Sequence, residues 1–164
     1  MRSKFLQQVD AQVASLPQTV TMSGGAQTVK SPLLGVSHVD DNLTLGVIRS
    51  ALVQFMASVT SSASMTVTPT IYHSDDTTDG NFTLVTLKTG QTLPVLTITG
   101  AASGMKEFFL DLSSLKKYVR VLFTFAGGSS DTVQFSAVFV LGDGSVESLP
   151  RSSTYVAPTV YRKA

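Results

Sequence analysis

The chain has no cysteine, no tryptophan and only two histidines among its 164 residues. Without cysteine there is no disulfide, no thiolate metal site and no cysteine nucleophile. Without tryptophan the largest flat platform for stacking on a sugar is missing. His38 and His73 stand in no His-x-x-x-His or His-x-Glu spacing, so a zinc or acid–base centre lacks convergent partners. Charged residues are scarce at 14% and the formal net charge is +1, which gives no electrostatic case for nucleic acid. Glutamate is limited to Glu107 and Glu147. No apolar run approaches the ~20 residues of a membrane span. The opening stretch MRSKFLQQVDAQ has no unbroken apolar core, and the expectation is that it is not a signal peptide.

What is present points to β-structure. A hydrophobic fraction of 43% with positive mean hydropathy (+0.23) marks a folded chain. The length suits one domain with arms, whose core needs no staple. Serine and threonine fill about a quarter of the sequence, and these residues compete with helical backbone hydrogen bonds. Aspartate far outnumbers glutamate, as turns and caps require. The low charge also suits a surface that faces another protein.

The strongest periodicity is in Lys116–Gly144. Val119, Val121, Phe123 and Phe125 alternate before Gly127-Gly128-Ser129-Ser130-Asp131, and Val133, Phe135, Ala137, Phe139 and Leu141 alternate after it. A period of two puts one face of each half into a core, and the run reads as a hairpin of an antiparallel sheet. Further strands are expected at Leu43–Arg49, Ala51–Thr60, Met65–Tyr72, Phe82–Lys88 (Phe82, Leu84 and Leu87 inward), Pro94–Thr99 and Met105–Leu112. In the last of these Phe108 and Leu110 share one face, with Phe109 and Leu112 placed near the other. Pro69 puts its strand at a sheet edge or a bulge. Gln18–Met22 and Ala26–Lys30 flank Ser23-Gly24-Gly25 as a second hairpin. Phe5, Leu6, Val9, Val13 and Leu16 lie near helical spacing, and read either as a short amphipathic helix or as an extended arm. The fold class expected is all-β: an antiparallel jelly roll or β-sandwich of about eight strands with N- and C-terminal arms. Its divisions are an arm over 1–17, the sandwich over 18–142 and an arm over 143–164.

Each candidate for chemistry has a plainer reading. Asp75, Thr77, Asp79 and Gly80 imitate half of a calcium loop, but Thr86 stands where the bidentate glutamate belongs, so a turn is the better reading. His38 and His73 sit beside acidic turns and are expected to be exposed. No nucleophile elbow supports a serine hydrolase. The Gly-rich stretches at 100–104 and 126–130 have no Lys-Ser/Thr signature for phosphate. Asn42-Leu43-Thr44 and Asn81-Phe82-Thr83 match the glycosylation triplet and carry little meaning without secretion. Lys116, Lys117 and Arg120, near Lys106, form a basic cluster too small for DNA. The expectation is no enzyme, no metal and no cofactor. The functional candidates are apolar anchors in the terminal arms: Phe5, Leu6 and Val9, with Tyr155, Val156, Val160 and Tyr161. These either pack on the protein's own core or lie along a partner.

The order of these pieces resembles small phage capsid cement (decoration) proteins of the Bordetella podophage type. The resemblance rests on Val9-Asp10-Ala11-Gln12, on Tyr72-His73-Ser74-Asp75-Asp76, and on Lys116-Lys117-Tyr118-Val119-Arg120-Val121 with Phe123, Gly127-Gly128 and Ala137–Leu141. It covers roughly Val9 to Asp143, and the long C-terminal arm departs from it. It implies a jelly roll on the outer surface of an HK97-type capsid, assembled in the bacterial host cytoplasm, that bridges capsomers and stabilises the particle. The implied partners are the major capsid protein and further copies of the chain, as a homodimer or homotrimer, with no nucleic acid and no membrane. A receptor- or glycan-binding β-sandwich module of a phage particle is the alternative, since fold does not fix function. A β-sandwich hydrolase using Glu107 and Glu147 is the weakest reading.

Overall fold

The computed structural model describes residues 8–35, 50–60, 64–112, 114–128, 132–142 and 160–164. The strands, in chain order, are β1 (Gln8–Thr21), β2 (Gln27–Lys30), β3 (Leu34–Gly35), β4 (Ser50–Val59), β5 (Ser64–Ser74), β6 (Thr83–Leu84), β7 (Leu96–Thr99), β8 (Ser103–Asp111), β9 (Tyr118–Ala126), β10 (Thr132–Gly142) and β11 (Val160–Tyr161). One 3-10 turn, Asp79–Asn81, is the only helical element among the described residues.

The strands form two sheets. The first has the order β1-β10-β4-β8-β11, and the second β2-β9-β5-β6, with β3 also on β9 and β7 also on β5. β5 lies along one side of β9 over its whole length, so β2 and β3 share the other side as one lane. For the same reason β6 and β7 share one lane on β5. Setting β11 aside, the chain then makes eight lanes: first with eighth (β1 on β10), second with seventh (β2 and β3 on β9), third with sixth (β4 on β8), and fourth with fifth (β5 on β6 and β7). That nesting is a long antiparallel ribbon rolled upon itself, a jelly roll.

Alternation identifies the inward face of β4, β5, β9 and β10. Val119, Val121, Phe123 and Phe125 of β9 are all buried, as are Val133, Phe135, Ala137, Phe139 and Leu141 of β10. The hairpin reading of that run is corrected, because β9 and β10 belong to different sheets and face each other across the core. Phe135 meets Phe123 and Phe125 with ring centroids 4.9 Å away in each case. A period of two states which face is apolar, not which strand lies alongside. The Gln18–Lys30 hairpin is corrected in the same way: β1 and β2 lie in different sheets, and Gly24, at φ 87°, turns the chain between them.

The N-terminal segment is a strand from Gln8 onward rather than a helix. Its register on β10 shifts between Val13 and Ser15 and between Ser15 and Gln18. Each shift inserts residues into a period of two, so the apolar spacing drifts toward helical values. β1 continues through Pro17, so the boundary drawn there falls inside a strand.

Among the described residues, Pro69 sits where β5 has no strand neighbour on its outer side, between the stretches Ser64–Val67, paired with β7, and Tyr72–His73, paired with β6. The Ile71 carbonyl accepts from the Val85 N–H on that outer side at 2.9 Å. Backbone groups alternate sides along a strand, so position 69 points outward too and proline costs no bond to β9. In β6, Leu84 is 57% exposed while Val85 is buried, correcting the expectation that Leu84 faces inward. Leu112 is fully buried with Phe108 and Leu110, continuing their face rather than the opposite one. The expected strand at Leu43–Arg49 lies outside the described residues.

Candidate functional site

The acidic turn after β5 is bound up with its own cations. Asp76 accepts from the Thr78 N–H at 2.8 Å and from Asn81 Nδ2 at 2.7 Å, closing the turn on itself. Asp79 reaches Arg120 at 2.6 Å and Lys30 at 3.1 Å, and Asp75 reaches Lys116 at 3.3 Å. Arg120, only 13% exposed, also lies 4.5 Å from the centroid of the Phe82 ring. Asp75 and Asp79 thus point at three cations and Asp76 at the turn's own amides, rather than at one another. Among the described residues no group of acidic or histidine side chains converges to hold a metal ion.

The Asn81 amide, then the Thr78 N–H, hold the Asp76 carboxyl below its ordinary value, and Arg120, then Lys30, do the same for Asp79. A depressed carboxyl contributes stability that is present above its unfolded value of 3.8 and is lost as pH falls through the lower folded value. Asp79→Asn should therefore reduce the loss of melting temperature on acidification below about pH 4. An identical acid slope in the variant would show that these ion pairs contribute nothing in solution.

His73 is buried, at 4% exposure, correcting the expectation of an exposed ring. It points inward on β5, and its Nδ1 accepts the Lys116 backbone N–H at 3.2 Å. Nothing in the acidic stretch around it signalled this; the inward parity of Met65, Val67, Pro69 and Ile71, extended two residues further, was the available sign.

The predicted partner-contact residues divide. Phe5, Leu6, Tyr155 and Val156 lie outside the described residues. Val9 falls in β1 and Val160 in β11, opposite Phe109 of β8. Tyr161 is only 8% exposed and packs edge-on against Phe108, ring centroids 5.7 Å apart. In this conformation it belongs to the protein's own core. The residues after it are tied down as well: Lys88 donates to the Arg162 carbonyl at 3.0 Å and Ala164 donates to the Thr86 carbonyl at 2.8 Å.

A different apolar surface lies on the outer face of the first sheet. Met56 of β4 stands directly opposite Met105 of β8 on one side and Ser136 of β10 on the other. Directly opposed residues share a face. The methionines are 51% and 55% exposed, and Leu16, at the β1 irregularity beside Ser136, is 71% exposed. The two methionines and Pro17 border a shallow groove of about 400 Å³ whose rim carries Ser58, Ser103 and Gln134 and no charged side chain. The second sheet's outer face is hydroxyl-lined instead, with Thr66, Thr68 and Thr70 on β5 and Thr124 on β9. A smaller apolar pair, Leu84 and Val95, rims the gap beside Pro69.

No protein-family model matches the sequence, and no curated protein matches it. Among solved structures, a chain of infectious bursal disease virus, Gx strain, aligns with a TM-score of 0.50 at 11% identity, over 85% of this chain. The present chain spans about a third (32%) of that chain's length. The tobacco streak virus coat protein aligns at a TM-score of 0.34 and 9% identity, over 94% of this chain and 100% of that one, too loosely to bear on the fold. At such identity the likeness to the first concerns architecture alone, and it agrees with the strand nesting: the chain is a β-sandwich of jelly-roll type.

Proposed function

We propose that this chain is a structural protein of a virus particle, and within that class a cement protein of a phage capsid. It would bind the outer surface of an HK97-type capsid and bridge neighbouring capsomers. The observation that carries the reading is a jelly roll with an exposed row free of charge across one sheet face: Leu16–Pro17, Ser136, Met56 and Met105. A fold alone does not choose a function. What narrows the choice is that the exposed side chains of this row offer shape and apolar area rather than charge, as a surface docked on a protein lattice requires.

The mechanism is mass action. A ligand that binds the assembled lattice and not its free subunits stabilises the lattice in proportion to its occupancy. A copy that touches two capsomers gains further, because its second contact forms at high effective concentration. A sandwich with a continuous core can span such a seam without bending, and the terminal residues Phe5, Leu6, Tyr155 and Val156 would add contacts beside it.

Co-sedimentation with expanded, undecorated phage capsids tests the reading. Saturable binding at a fixed ratio to the capsid subunit is the expected result. No pelleting under conditions that retain a known decoration protein would refute it, and a glycan or receptor screen would then be the next step.

A further inference from the structure

The outward residues of β10, β4 and β8 lie in rows, because directly opposed residues share a face. Ser136, Met56 and Met105 make one row, and Val140, Leu52 and Phe109 make another. Between them runs a third: Val138, Gln54 and Glu107. Leu52, Phe109, Val138 and Val140 all keep part of their surface in solvent. The charged side chains that stand outward on these three strands are Glu107 and Asp111. Asp111 has Arg162 at 3.4 Å. Glu107 has no cation within ion-pair distance among the described residues. Instead its Oε2 accepts from Gln54 Nε2 at 2.8 Å. That bond draws the carboxylate from β8 toward β4, between the two apolar rows. A neutral amide orients the carboxylate and leaves its charge unopposed.

We propose that Glu107 is the charged recognition point of this face, and that the partner is a protein surface presenting a lysine or arginine among apolar side chains. The proposal rests on the reading that this face docks on a capsid. Its physical cause is desolvation. Docking of the rows on either side removes water from the row between them. A carboxylate stripped of water without a cation is penalised more heavily than one apolar side chain beside it is rewarded. A matched cation replaces that penalty with a charge-assisted hydrogen bond.

The same pair fixes position. Apolar rows can slide over an apolar surface, whereas one ion pair among them selects a single register and rejects a surface that is acidic there. Gln54 holds the carboxylate before binding, so less side-chain freedom is lost when the cation arrives. A second copy of this chain does not fit. A two-fold contact through this face brings the same carboxylate from both sides, and β10, β4 and β8 present no outward lysine or arginine to meet it.

Two substitutions at one position test the proposal, with affinity for expanded, undecorated phage capsids measured by co-sedimentation beside the unaltered chain. Glu107→Gln keeps the side chain's size and an oxygen for Gln54, and Glu107→Leu replaces charge by apolar area. The position is on the outer face, so both should fold, which their melting curves check. Both should bind at least about thirtyfold more weakly, because each leaves the partner's cation buried without its anion. The leucine variant supplies the sign. If no cation faces position 107, leucine removes an uncompensated charge, and affinity stays the same or rises; that result would overturn the proposal. Unchanged affinity of Glu107→Gln would overturn it equally. Both of these leave the cement reading standing. Failure of the unaltered chain to pellet is a separate outcome, which removes the cement reading and the proposal with it.

Discussion

Replacing Phe123 by alanine should cost about 3–5 kcal/mol of folding stability. Phe123 is fully buried and lies at the middle of β9, opposite Val29 of β2 and Pro69 of β5. Across the core its ring meets Phe135 of β10 at 4.9 Å and Phe55 of β4 at 5.4 Å. With Phe125, it joins the two sheets by aromatic contact. Its removal takes away transfer energy and leaves a ring-sized void that strands on both sides, fixed by long ladders, cannot close. Against a typical domain stability of about 5–15 kcal/mol that is a large share, and the melting temperature should fall by roughly 6–20 °C. Thr124→Ala, one residue on and facing outward, should stay within about 1 kcal/mol. Chemical denaturation of the two variants checks the contrast. Equal losses would mean that β9 does not present Phe123 to the core.

That contrast also explains what the sequence could and could not tell. Alternation named the buried residues of β9 and β10 correctly, because a period of two is a property of one strand. It could not tell a hairpin from two facing strands, and the geometry of this run hides the difference. Phe123 and Phe135 are equidistant from Ser129, so a hairpin would make them neighbours on one face, and the sandwich makes them neighbours across the core. Only outward residues separate the two: Thr124 and Gln134 would touch in a hairpin, yet they lie in different sheets, and Gln134 bonds to Thr19 of β1 at 2.8 Å. β1 was obscured for another reason, since its register shifts mimic helical spacing. Of the candidate site, the acidic turn was legible as a turn, but its cations were not. Arg120 and Lys30 lie far along the chain from Asp79, and are brought to it only once β2, β9 and β5 have paired. Met56 and Met105 were likewise read as ordinary strand residues, because a ladder between distant strands is what makes them one surface.

The second large effect expected is on particle binding, from the pair Met56→Glu with Met105→Lys. Both side chains are more than half exposed and directly opposite each other, so the opposite charges introduced face one another and do not repel. Neither methionine belongs to the core, so folding stability should change by about 1 kcal/mol or less. If this face docks on the capsid, the variant loses the burial of two methionines, worth about 1.5–3 kcal/mol each, and must desolvate two charges besides. A loss of at least 3 kcal/mol lowers affinity by roughly a hundredfold or more. Because a bridging copy makes its contact on each capsomer, occupancy should collapse rather than decline gradually. Leu84→Lys, on the edge of the other sheet, is the matched control: similarly exposed, similarly apolar, and outside the methionine row. Binding that survives the methionine pair but fails with Leu84→Lys would move the docking surface to the gap beside Pro69. Binding that survives both would assign the contact to neither sheet's apolar surface and leave it to the terminal residues.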